Sequence, residues 1–499
     1  MKPSIYNKIV KYKEDYLVFN QVTGALLKAS EKSTNKIKKI FEGKIEDEKL
    51  QKQLIELGYL IADKEDERVR LKKLYDEKSS NNLNKHLYIT VTDRCNLGCN
   101  YCFEEKNQWI KMSPDTQETL KKFIYNFLTE TETKHFGIGW YGGEPTLNIP
   151  AIENLSKYTK NLCEKLGISF YQMMISNGTT FTEAVTDKII ELNIDRVQIT
   201  VDGFKEDHDL SRPYLKDLKI EEMNDAQKRQ ISKINSSLLL PIIGQEKHSR
   251  RSSYDDILSG LERYVKKGGK VSLRMNVDEE TIGRIHNLLD DLLKRGLFEK
   301  NEKGGYVYAY AHPIYDAGGC STTNEEGGCA SCIVKTMKME VFSNKIEKIK
   351  DWYNKNNIKY FDHSVEMKFT GETCTANKKY EYVVNPDGTL TKCTHHVGMQ
   401  DKVIGNIKDL KTNPDEIICD ENLKFSAFNP FKDEECYNCE VLPICMGGCK
   451  SNNKAGESKK YDAGCIPTKF SYEKDIIRLY EKKMSKEEVQ IEFLGKHSH

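Results

Sequence analysis

The chain has 499 residues, with 77 Lys and Arg side chains against 76 Asp and Glu side chains, and its net charge is +1. A chain of this length is expected to form two or three domains, each large enough to bury its own core. The balanced charge provides no basic field that would indicate a nucleic-acid partner. The sequence has no apolar run of about 18 residues and no N-terminal signal peptide. We therefore expect a soluble, cytoplasmic protein with no membrane partner.

The cysteine content points to metal binding. The chain has 15 Cys, and eleven of them lie at or beyond Cys320. Because the cytosol keeps thiols reduced, these residues favour metal ligation over disulfide bonds. The second half of the chain is therefore expected to be rich in metal ligands.

The first 80 residues are predicted to form a small separate module. Ile9–Tyr12 and Tyr16–Phe19 flank a polar turn and predict a hairpin, and Ala25–Leu27 predicts a third strand. Helical patterns follow at Ser33–Phe41 and Glu46–Leu57, and a polar stretch covers residues 63–84. This order resembles the winged-helix module that recognises leader peptides in many maturases of ribosomally made peptides (RiPPs). The alternative is a capping domain with a structural role only.

Strands alternate with helices from residue 86 to about 315, apart from a charged insertion at about 216–251 that we interpret as a disordered loop or a lid. Predicted strands are His86–Val91, Phe136–Tyr141, Phe170–Ile175, Arg196–Val201, Val271–Val277 and Tyr306–Ala311. One predicted helix begins at Ser113, and four others cover Ile149–Leu166, Thr182–Leu192, Tyr254–Val265 and Thr281–Leu293. This repetition predicts an α/β fold with a parallel sheet, either open or barrel-like.

Three Cys lie in one short loop after the first of these strands, at Cys95, Cys99 and Cys102. A [4Fe–4S] cluster normally takes four Cys ligands, so three thiolates leave one iron open for a substrate or cofactor. The alternatives are a zinc knuckle or three buried structural thiols. No His follows Cys102 at the spacing that a four-ligand zinc site usually shows.

The C-x3-C-x2-C spacing, with the aromatic Tyr101 before the third Cys, resembles the cluster loop of radical S-adenosylmethionine (SAM) enzymes. The resemblance implies a partial (β/α)6 TIM-like barrel with bound SAM. It extends to further motifs in the family's order, which imply that the cofactor is bound by Gly142, Gly143, Glu144, Ser176, Asn177, Asp202, Arg212 and Asn276. By the same resemblance, the Gly-Gly-Glu turn holds the amino group of SAM and Arg212 pairs with its carboxylate.

Residues 371–475 resemble the SPASM extension of radical SAM enzymes, which holds auxiliary [4Fe–4S] clusters. The turn Asn385–Gly388 before Cys393 fits its hairpin, and Gly405–Ile407 fits the segment that follows. The resemblance assigns one cluster to Cys436, Cys439, Cys445 and Cys465, and the other to Cys374, Cys393 and Cys449. Two complete clusters need eight thiolates and the pattern supplies seven, so one iron is expected to lack a Cys ligand from this set.

The remaining Cys fall outside these motifs. Cys320, Cys329 and Cys332 lie in a Gly-rich loop of a bridging region, 316–370, and are candidates for the missing ligand, for zinc binding or for guiding a substrate thiol. Cys163 and Cys419 are expected to be buried structural thiols. The chain ends in a polar tail at 476–499.

Within the SPASM group, two kinds of enzyme fit the sequence. Sulfatase-maturing (formylglycine-forming) enzymes resemble the chain over both catalytic parts but carry an acidic residue after the Cys that corresponds to Cys393, where this chain has Thr394, His395 and His396. That difference and the N-terminal module favour a peptide maturase. We expect a thioether-forming enzyme of the sactionine or ranthipeptide type, with a precursor peptide and an electron donor such as flavodoxin or ferredoxin as partners. A maturase that forms carbon–carbon links and a non-catalytic iron–sulfur carrier are two further hypotheses.

Overall fold

The computed structural model describes residues 1–102, 104, 109–218, 252–314, 337–358, 367–369, 371, 374–417, 429–449 and 464–485. The chain divides into two units. The first contains Met1–Ser79, Asp362–Cys374 and Phe428–His499, and the second contains Ser80–Phe361 and Thr375–Ala427. Most of the predicted insertion and the four residues Cys320, Cys329, Cys332 and Cys419 lie outside the described residues.

The described elements follow in chain order. The strands are β1 (Lys2–Pro3), β2 (Asn7–Tyr12), β3 (Asp15–Asn20), β4 (Leu26–Ala29), β5 (Leu60–Ile61), β6 (Asn84–Thr92), β7 (His135–Gly142), β8 (Ser169–Ser176), β9 (Arg196–Thr200), β10 (Lys270–Val277), β11 (Tyr306–Pro313), β12 (Glu381–Val384), β13 (Thr389–Thr391) and β14 (Gly405–Asn406). The α-helices are α1 (Glu31–Phe41), α2 (Glu48–Glu56), α3 (Glu67–Ser79), α4 (Pro114–Thr129), α5 (Ile149–Leu166), α6 (Glu183–Glu191), α7 (Lys205–Ser211), α8 (Ser253–Lys266), α9 (His286–Lys294), α10 (Met339–Lys355), α11 (Pro414–Ile417), α12 (Glu434–Tyr437), α13 (Leu442–Cys445) and α14 (Thr468–Ser485). Short 3₁₀ turns occur at Pro145–Asn148, Leu215–Asp217, Thr281–Arg284, Thr375–Asn377, Thr394–His396, Gln400–Lys402 and Ile407–Asp409.

The second unit is built on one mixed sheet of nine strands, in the order β11-β10-β9-β8-β7-β6-β12-β13-β14. Strands β6 to β11 are parallel, and each pairs with the next one along the chain. Strand β12 pairs in parallel with β6, and β13 and β14 continue the sheet in antiparallel pairs. Consecutive parallel strands that lie side by side give the strand order of a (β/α) barrel, so the predicted α/β class is confirmed.

Local sequence signals account for the helices between these strands. The Ser113 side chain accepts the N–H of Thr116 at 3.1 Å and caps α4, in which Pro114 is the first residue. Helix α5 has the predicted bounds and ends at Gly167, whose φ of 68° is the left-handed conformation typical of a helix C-terminus. The predicted helix Thr281–Leu293 is divided into a 3₁₀ turn and α9. The carboxyl ends of β6 to β10 lie at one edge of the sheet, where parallel α/β folds bind ligands.

The first unit contains a three-stranded antiparallel sheet in the order β2-β3-β4, which confirms the predicted hairpin and third strand. Alternate residues of β3 enter different cores, as expected for a strand. Val18 belongs to the core of α1 and α2 with Ile37 and Leu54. Leu17 and Phe19 belong to a second core that includes residues of α14. Both faces of this small sheet are therefore covered.

Among the described helices, three with more than ten residues were not predicted. Helix α3 lies in the polar stretch 63–84, α10 lies in the bridging region, and α14 includes the first ten residues of the polar tail 476–499. Each turns an apolar stripe inward: α10, for example, buries Phe342, Ile346, Ile349 and Tyr353 at helical spacing. No helix in the described part of the chain is both long and apolar enough to span a membrane.

Candidate functional site

The cluster loop, residues 93–102, follows β6 directly. The carboxylate of Asp93 accepts the backbone N–H groups of Trp109, at 3.0 Å, and Ile110. On its other side the loop lies along residues 211–215, because Gly98 donates its N–H to the Pro213 carbonyl at 2.9 Å and Leu215 donates to the Asn96 carbonyl at 3.0 Å. These bonds fix the loop at both sides and bring it beside Arg212.

The three thiols of the loop are partly buried and lie close to one another. Burial raises the pKa of Cys95, Cys99 and Cys102, and the neighbouring thiols raise the pKa of Cys95 and of Cys102 further. Among the described residues, no group of three or more His, Cys, Asp or Glu side chains is arranged to hold a single metal ion. A multi-iron cluster spreads its thiolate ligands more widely than one ion does and deprotonates them on binding. Three thiols in one short loop fit the predicted cluster, in which one iron is left open.

The Gly-Gly turn after β7 sits directly on the backbone of the cluster loop. Gly143 donates its N–H to the Thr92 carbonyl at 3.1 Å, and Glu144 donates to the Arg94 carbonyl at 2.7 Å. A Cβ at Gly142 would lie 2.2 Å from the Thr92 oxygen, and one at Gly143 would lie 2.4 Å from the Arg94 oxygen. Both glycines are therefore required for this close approach.

The carboxylate of Glu144 joins two motif turns. It is fully buried and accepts the Ser176 hydroxyl at 2.9 Å and the Asn177 N–H at 2.6 Å, as well as the N–H of Thr146 at 3.1 Å. Burial raises the pKa of Glu144, and these hydrogen bonds counteract the rise by stabilising the charged form. The turns after β7 and β8 are thus connected through one carboxylate.

Asn177 then connects the turn after β8 to the cluster loop. Its side-chain amide donates to the Asn96 side-chain oxygen at 2.9 Å and lies 3.7 Å from the sulfur of Cys95. Three sequence motifs that are separated along the chain therefore form one contiguous group of side chains.

A second group of polar residues meets at the hydroxyl of Tyr101. This hydroxyl donates to the carboxylate of Asp202 and accepts from Arg212 Nη1 at 2.6 Å and from Asn276 Nδ2 at 3.0 Å. The guanidinium of Arg212 lies 3.8 Å from the Asp202 carboxylate. Asn276 in turn accepts from Arg274 Nε at 2.8 Å. The aromatic residue of the Cys motif therefore organises all three predicted cofactor-binding residues of this side.

His208 and Asp209, which lie between Asp202 and Arg212 in the sequence, have a positioning role. The Nδ1 atom of His208 accepts the N–H of Asp202 at 3.2 Å inside the protein. The carboxylate of Asp209 accepts the N–H of Tyr254 at 3.0 Å and the hydroxyl of Ser253 at 3.1 Å, at the start of α8. Ser253 also donates to the Arg212 carbonyl at 2.8 Å.

Sequence reasoning did not identify the pair Glu104 and Tyr141. The Tyr141 hydroxyl hydrogen-bonds the buried carboxyl of Glu104, and burial raises the pKa of Glu104 to about 8. Both side chains lie near Cys102, and the charge of Cys393 raises the pKa of Tyr141 further. An acidic residue two positions after the third Cys was the signal available in the sequence.

Cys393 follows the hairpin of β12 and β13 in the second unit. The predicted turn is present, with the N–H of Gly388 donating to the Asn385 carbonyl at 2.9 Å and a φ of 84° at Gly388. His395 and His396 follow Cys393, and burial lowers the pKa of both to about 4. Both imidazoles are therefore neutral at pH 7.

The other predicted auxiliary ligands belong to the first unit. The thiol of Cys445 accepts from the N–H groups of Gly447 and Ile466, burial raises its pKa to about 11, and Cys465 and Cys439 add to the rise. The N–H of Cys449 donates to the Gly464 carbonyl at 3.1 Å, although the intervening residues 450–463 lie outside the described part. Cys163, as expected, is fully buried within α5.

Comparison with known proteins identifies the domain that carries this site. Residues 89–292 match the family model of the Radical SAM superfamily. The cysteine-type anaerobic sulfatase-maturating enzyme of Clostridium perfringens is 24% identical over 380 residues, which cover 71% of this chain and 86% of that enzyme. The uncharacterized protein MJ0907 of Methanocaldococcus jannaschii is 33% identical over 130 residues, and the match spans only 42% of its length.

Two solved structures share the fold. Native anSMEcpe with bound AdoMet and a peptide gives a TM-score of 0.54 at 20% identity, over 80% of this chain and 97% of that one. Streptococcus suis SuiB bound to the precursor peptide SuiA gives a TM-score of 0.50 at 15% identity, over 92% and 98%. The superfamily confirms the predicted cofactors, SAM and [4Fe–4S] iron–sulfur clusters.

The hydrogen bonds at Tyr101 lead to a first prediction. In Tyr101→Phe, Arg212 and Asn276 lose the oxygen that holds them, and Arg212 has to be positioned by SAM itself. Because hydrogen bonds to charged groups contribute about 1.5–3 kcal/mol, we expect the Kd for SAM to rise about tenfold or more. Titration calorimetry on cluster-reconstituted protein measures this change, while iron content stays at the wild-type level.

Tyr214→Phe is the matched control. Tyr214 lies in residues 211–215, which run along the cluster loop, but its hydroxyl donates to Asp256 at 2.5 Å, away from Arg212. Its Kd for SAM is expected to stay within about twofold of wild type, because it loses a bond outside the site. Equal or tighter SAM binding by Tyr101→Phe would show that the hydroxyl does not position Arg212.

Proposed function

We propose that this chain, whose residues 89–292 match the Radical SAM superfamily, reductively cleaves SAM and installs intrapeptide thioether crosslinks from Cys residues of a ribosomally made precursor peptide. The observation that carries the SAM chemistry is the connection of five motifs at one edge of the sheet. Glu144 and Asn177 link two turns to the cluster loop, and Tyr101 links the loop to Asp202 and Arg212. A non-catalytic iron–sulfur carrier has no need of these turns.

The chain's own residues divide the work as follows. Cys95, Cys99 and Cys102 would hold the cluster with one iron left open. The Gly142–Gly143 turn brings the backbone against this loop, and the turn at Ser176 and Asn177 lines the next strand end. Arg212 is a fork of donors suited to the SAM carboxylate. Asp202 and Asn276 keep that guanidinium in place through Tyr101.

When bound, SAM and the clusters would supply a 5′-deoxyadenosyl radical that abstracts hydrogen from an unactivated carbon. They would also supply an acceptor for one electron. A thioether requires the loss of one hydrogen from carbon and one from a substrate thiol. Bound SAM would supply the acceptor for the hydrogen from carbon. An auxiliary cluster held by the Cys set would supply the acceptor for the electron that remains once the thiol hydrogen has left as a proton.

Two features support the thioether over formylglycine. The auxiliary pattern supplies seven thiolates for two clusters, which could leave an iron for the substrate thiolate. After Cys393 the chain places Thr394 and two imidazoles whose pKa values are lowered by burial, where sulfatase-maturing enzymes are expected to carry an acid. The second candidate function is formylglycine formation in a sulfatase, and the 24% identity over 71% of the chain to a sulfatase-maturating enzyme favours it.

We further propose that residues 1–80 bind the leader of the precursor peptide by adding it to an edge of the β2-β3-β4 sheet. SuiB, which shares the fold, has been solved with a precursor peptide. The partners would then be that peptide and an electron donor such as flavodoxin or ferredoxin, in the cytoplasm.

The cluster assignment predicts a specific loss of iron. Three [4Fe–4S] clusters correspond to about twelve irons per chain. Replacing Cys95, Cys99 and Cys102 together by Ala should remove about a third of the iron and all SAM cleavage. The buried Cys163→Ala, outside the motifs, serves as the control. Release of 5′-deoxyadenosine by the triple variant, measured by chromatography, would overturn the assignment.

The edge strands predict where a leader strand binds. The two-residue turn makes Tyr12 and Asp15 a hydrogen-bonded pair, so the N–H of Lys11 points away from β3. Proline removes such a donor.

We expect Lys11→Pro to weaken precursor binding about tenfold, as measured by fluorescence anisotropy, because strand addition depends on outward N–H groups. Lys11→Ala, which keeps the N–H, is the matched control. If Lys11→Pro binds the precursor with wild-type affinity, the leader does not add as a strand to β2.

The last prediction concerns the product. Because a thioether removes two hydrogens, mass spectrometry of the modified precursor should show a loss of about two mass units per crosslink. The linked Cys should also resist alkylation by iodoacetamide. The same mass loss with every Cys still open to alkylation would indicate a carbon–carbon link, and oxidation of a sulfatase Cys to an aldehyde would indicate formylglycine formation.

A further inference from the structure

Within the first unit, one face of the N-terminal sheet packs on the segment that carries three predicted auxiliary ligands. Val10, Leu17 and Phe19 form a single core with Val441 and Ile444. Cys439 and Cys445 pack against this core. The two thiols therefore pack against the same apolar core as β2 and β3.

Polar contacts reinforce the same face. The side-chain amide of Gln21 donates to the carbonyl of Glu440, the residue directly after Cys439. The ammonium of Lys8 binds the Glu440 carboxylate at 3.0 Å. Gln21 is almost fully buried, so its hydrogen bond to the main chain of the Cys segment is formed away from water and costs more to lose.

A second apolar cluster holds the start of the Cys segment. Tyr6, Leu71 and Tyr75 of the N-terminal module pack with Phe431, Leu442 and Met446, and Cys436 and Cys439 lie against them. The guanidinium of Arg68 lies 4.6 Å from the ring centroid of Tyr437, between those two Cys. Residues from three elements of the module thus surround the segment from Cys436 to Cys445.

The Cys segment has little regular structure of its own. Helices α12 and α13 have four residues each, and Met446, Gly447 and Gly448 follow with positive φ values of 46°, 91° and 61°. Two four-residue helices cannot fix thiol positions by themselves. The position of the thiols therefore depends on what packs around them.

We propose that the N-terminal sheet is the structural support of the auxiliary cluster site formed by Cys436, Cys439, Cys445 and Cys465. This inference rests on the proposed function, since it takes over that ligand assignment. It gives residues 1–80 a role in metal-site assembly in addition to peptide binding. The face of the sheet that carries Leu17 performs this role, and the opposite face does not.

Leu17 and Leu54 provide a matched pair of substitutions. Both side chains are fully buried, but Leu17 belongs to the core beside Cys439 and Cys445, whereas Leu54 belongs to the core of α1 and α2. Each Leu→Ala change removes the same atoms from a core of the same module. Both are made in full-length protein that carries Cys95, Cys99 and Cys102→Ala, so that all remaining iron is auxiliary.

We expect this background to hold about eight irons per chain, and Leu17→Ala to lower the count to about four, one [4Fe–4S] cluster. Leu54→Ala should keep the background iron while its melting temperature falls. Retention of all iron by Leu17→Ala overturns the proposal. Equal iron loss in both variants also overturns it, because the cluster would then follow overall stability and not this face.

A milder substitution tests the proposed support if Leu17→Ala does not fold. Gln21→Leu removes the hydrogen bond to the Glu440 carbonyl without emptying a core, and should speed iron release to a chelator about threefold or more. The control is Gln117→Leu, because Gln117 in the second unit also donates to a main-chain carbonyl, that of Met112, at 3.2 Å. Equal release rates for the two variants contradict the proposal.

A further variant separates this inference from the proposed function. Cys445→Ala in the same background should also remove about four irons. If it removes none, the ligand assignment itself is wrong. If it removes four while Leu17→Ala leaves the iron count unchanged and Gln21→Leu leaves the rate of iron release unchanged, the assignment stands and only the support by the N-terminal sheet is refuted.

Discussion

The buried carboxylate of Glu144 makes the interactions on which the arrangement of the proposed SAM site depends. A carboxylate with no solvent exposure is costly unless several donors compensate for the lost water. Two of the donors, Ser176 and Asn177, lie at the end of β8. The third, Thr146, lies in the 3₁₀ turn directly after Glu144. The charge can be satisfied only when the turns after β7 and β8 are both in place. Because Glu144 also donates its own N–H to the Arg94 carbonyl, the cluster loop must be in place together with the two turns.

Tyr101 solves a related problem for a buried guanidinium. Arg212 is largely removed from water, and its nearest carboxylate, Asp202, lies at 3.8 Å, beyond ordinary hydrogen-bond distance. The phenol hydroxyl stands between them, donates to the acid and accepts from the base. The ion pair is thereby held apart at a fixed spacing. A guanidinium that keeps free N–H groups in a water-poor site is prepared for a second anion, and the amino-acid end of SAM carries one.

Sequence patterns predicted the elements with local signals and missed those that depend on distant partners. Helix α5 has an apolar stripe, an initial Pro and a terminal Gly, and its bounds were predicted correctly. Helix α14 buries Tyr472 and Ile476 against strands more than 450 residues earlier in the chain, which its charged sequence does not reveal. The motif order predicted which cofactor-binding residues meet. It did not reveal that Glu144 bonds to the neighbouring turn or that Tyr101 joins the other side, since both contacts arise from the register of the parallel strands.

The shared core of the first unit has a thermodynamic consequence for peptide binding. If a leader strand pairs with β2 or β4, it stabilises the three-stranded sheet by mass action. The same sheet contributes Val10, Leu17 and Phe19 to the core that contacts Cys439 and Cys445. The free energy by which the peptide stabilises the ordered sheet would then also stabilise the positions of these two thiols. Linkage is reciprocal, so a loaded auxiliary cluster would in turn favour the peptide-bound sheet. Recognition of the leader and readiness of the metal site would be coupled through packing alone, without any contact between peptide and iron.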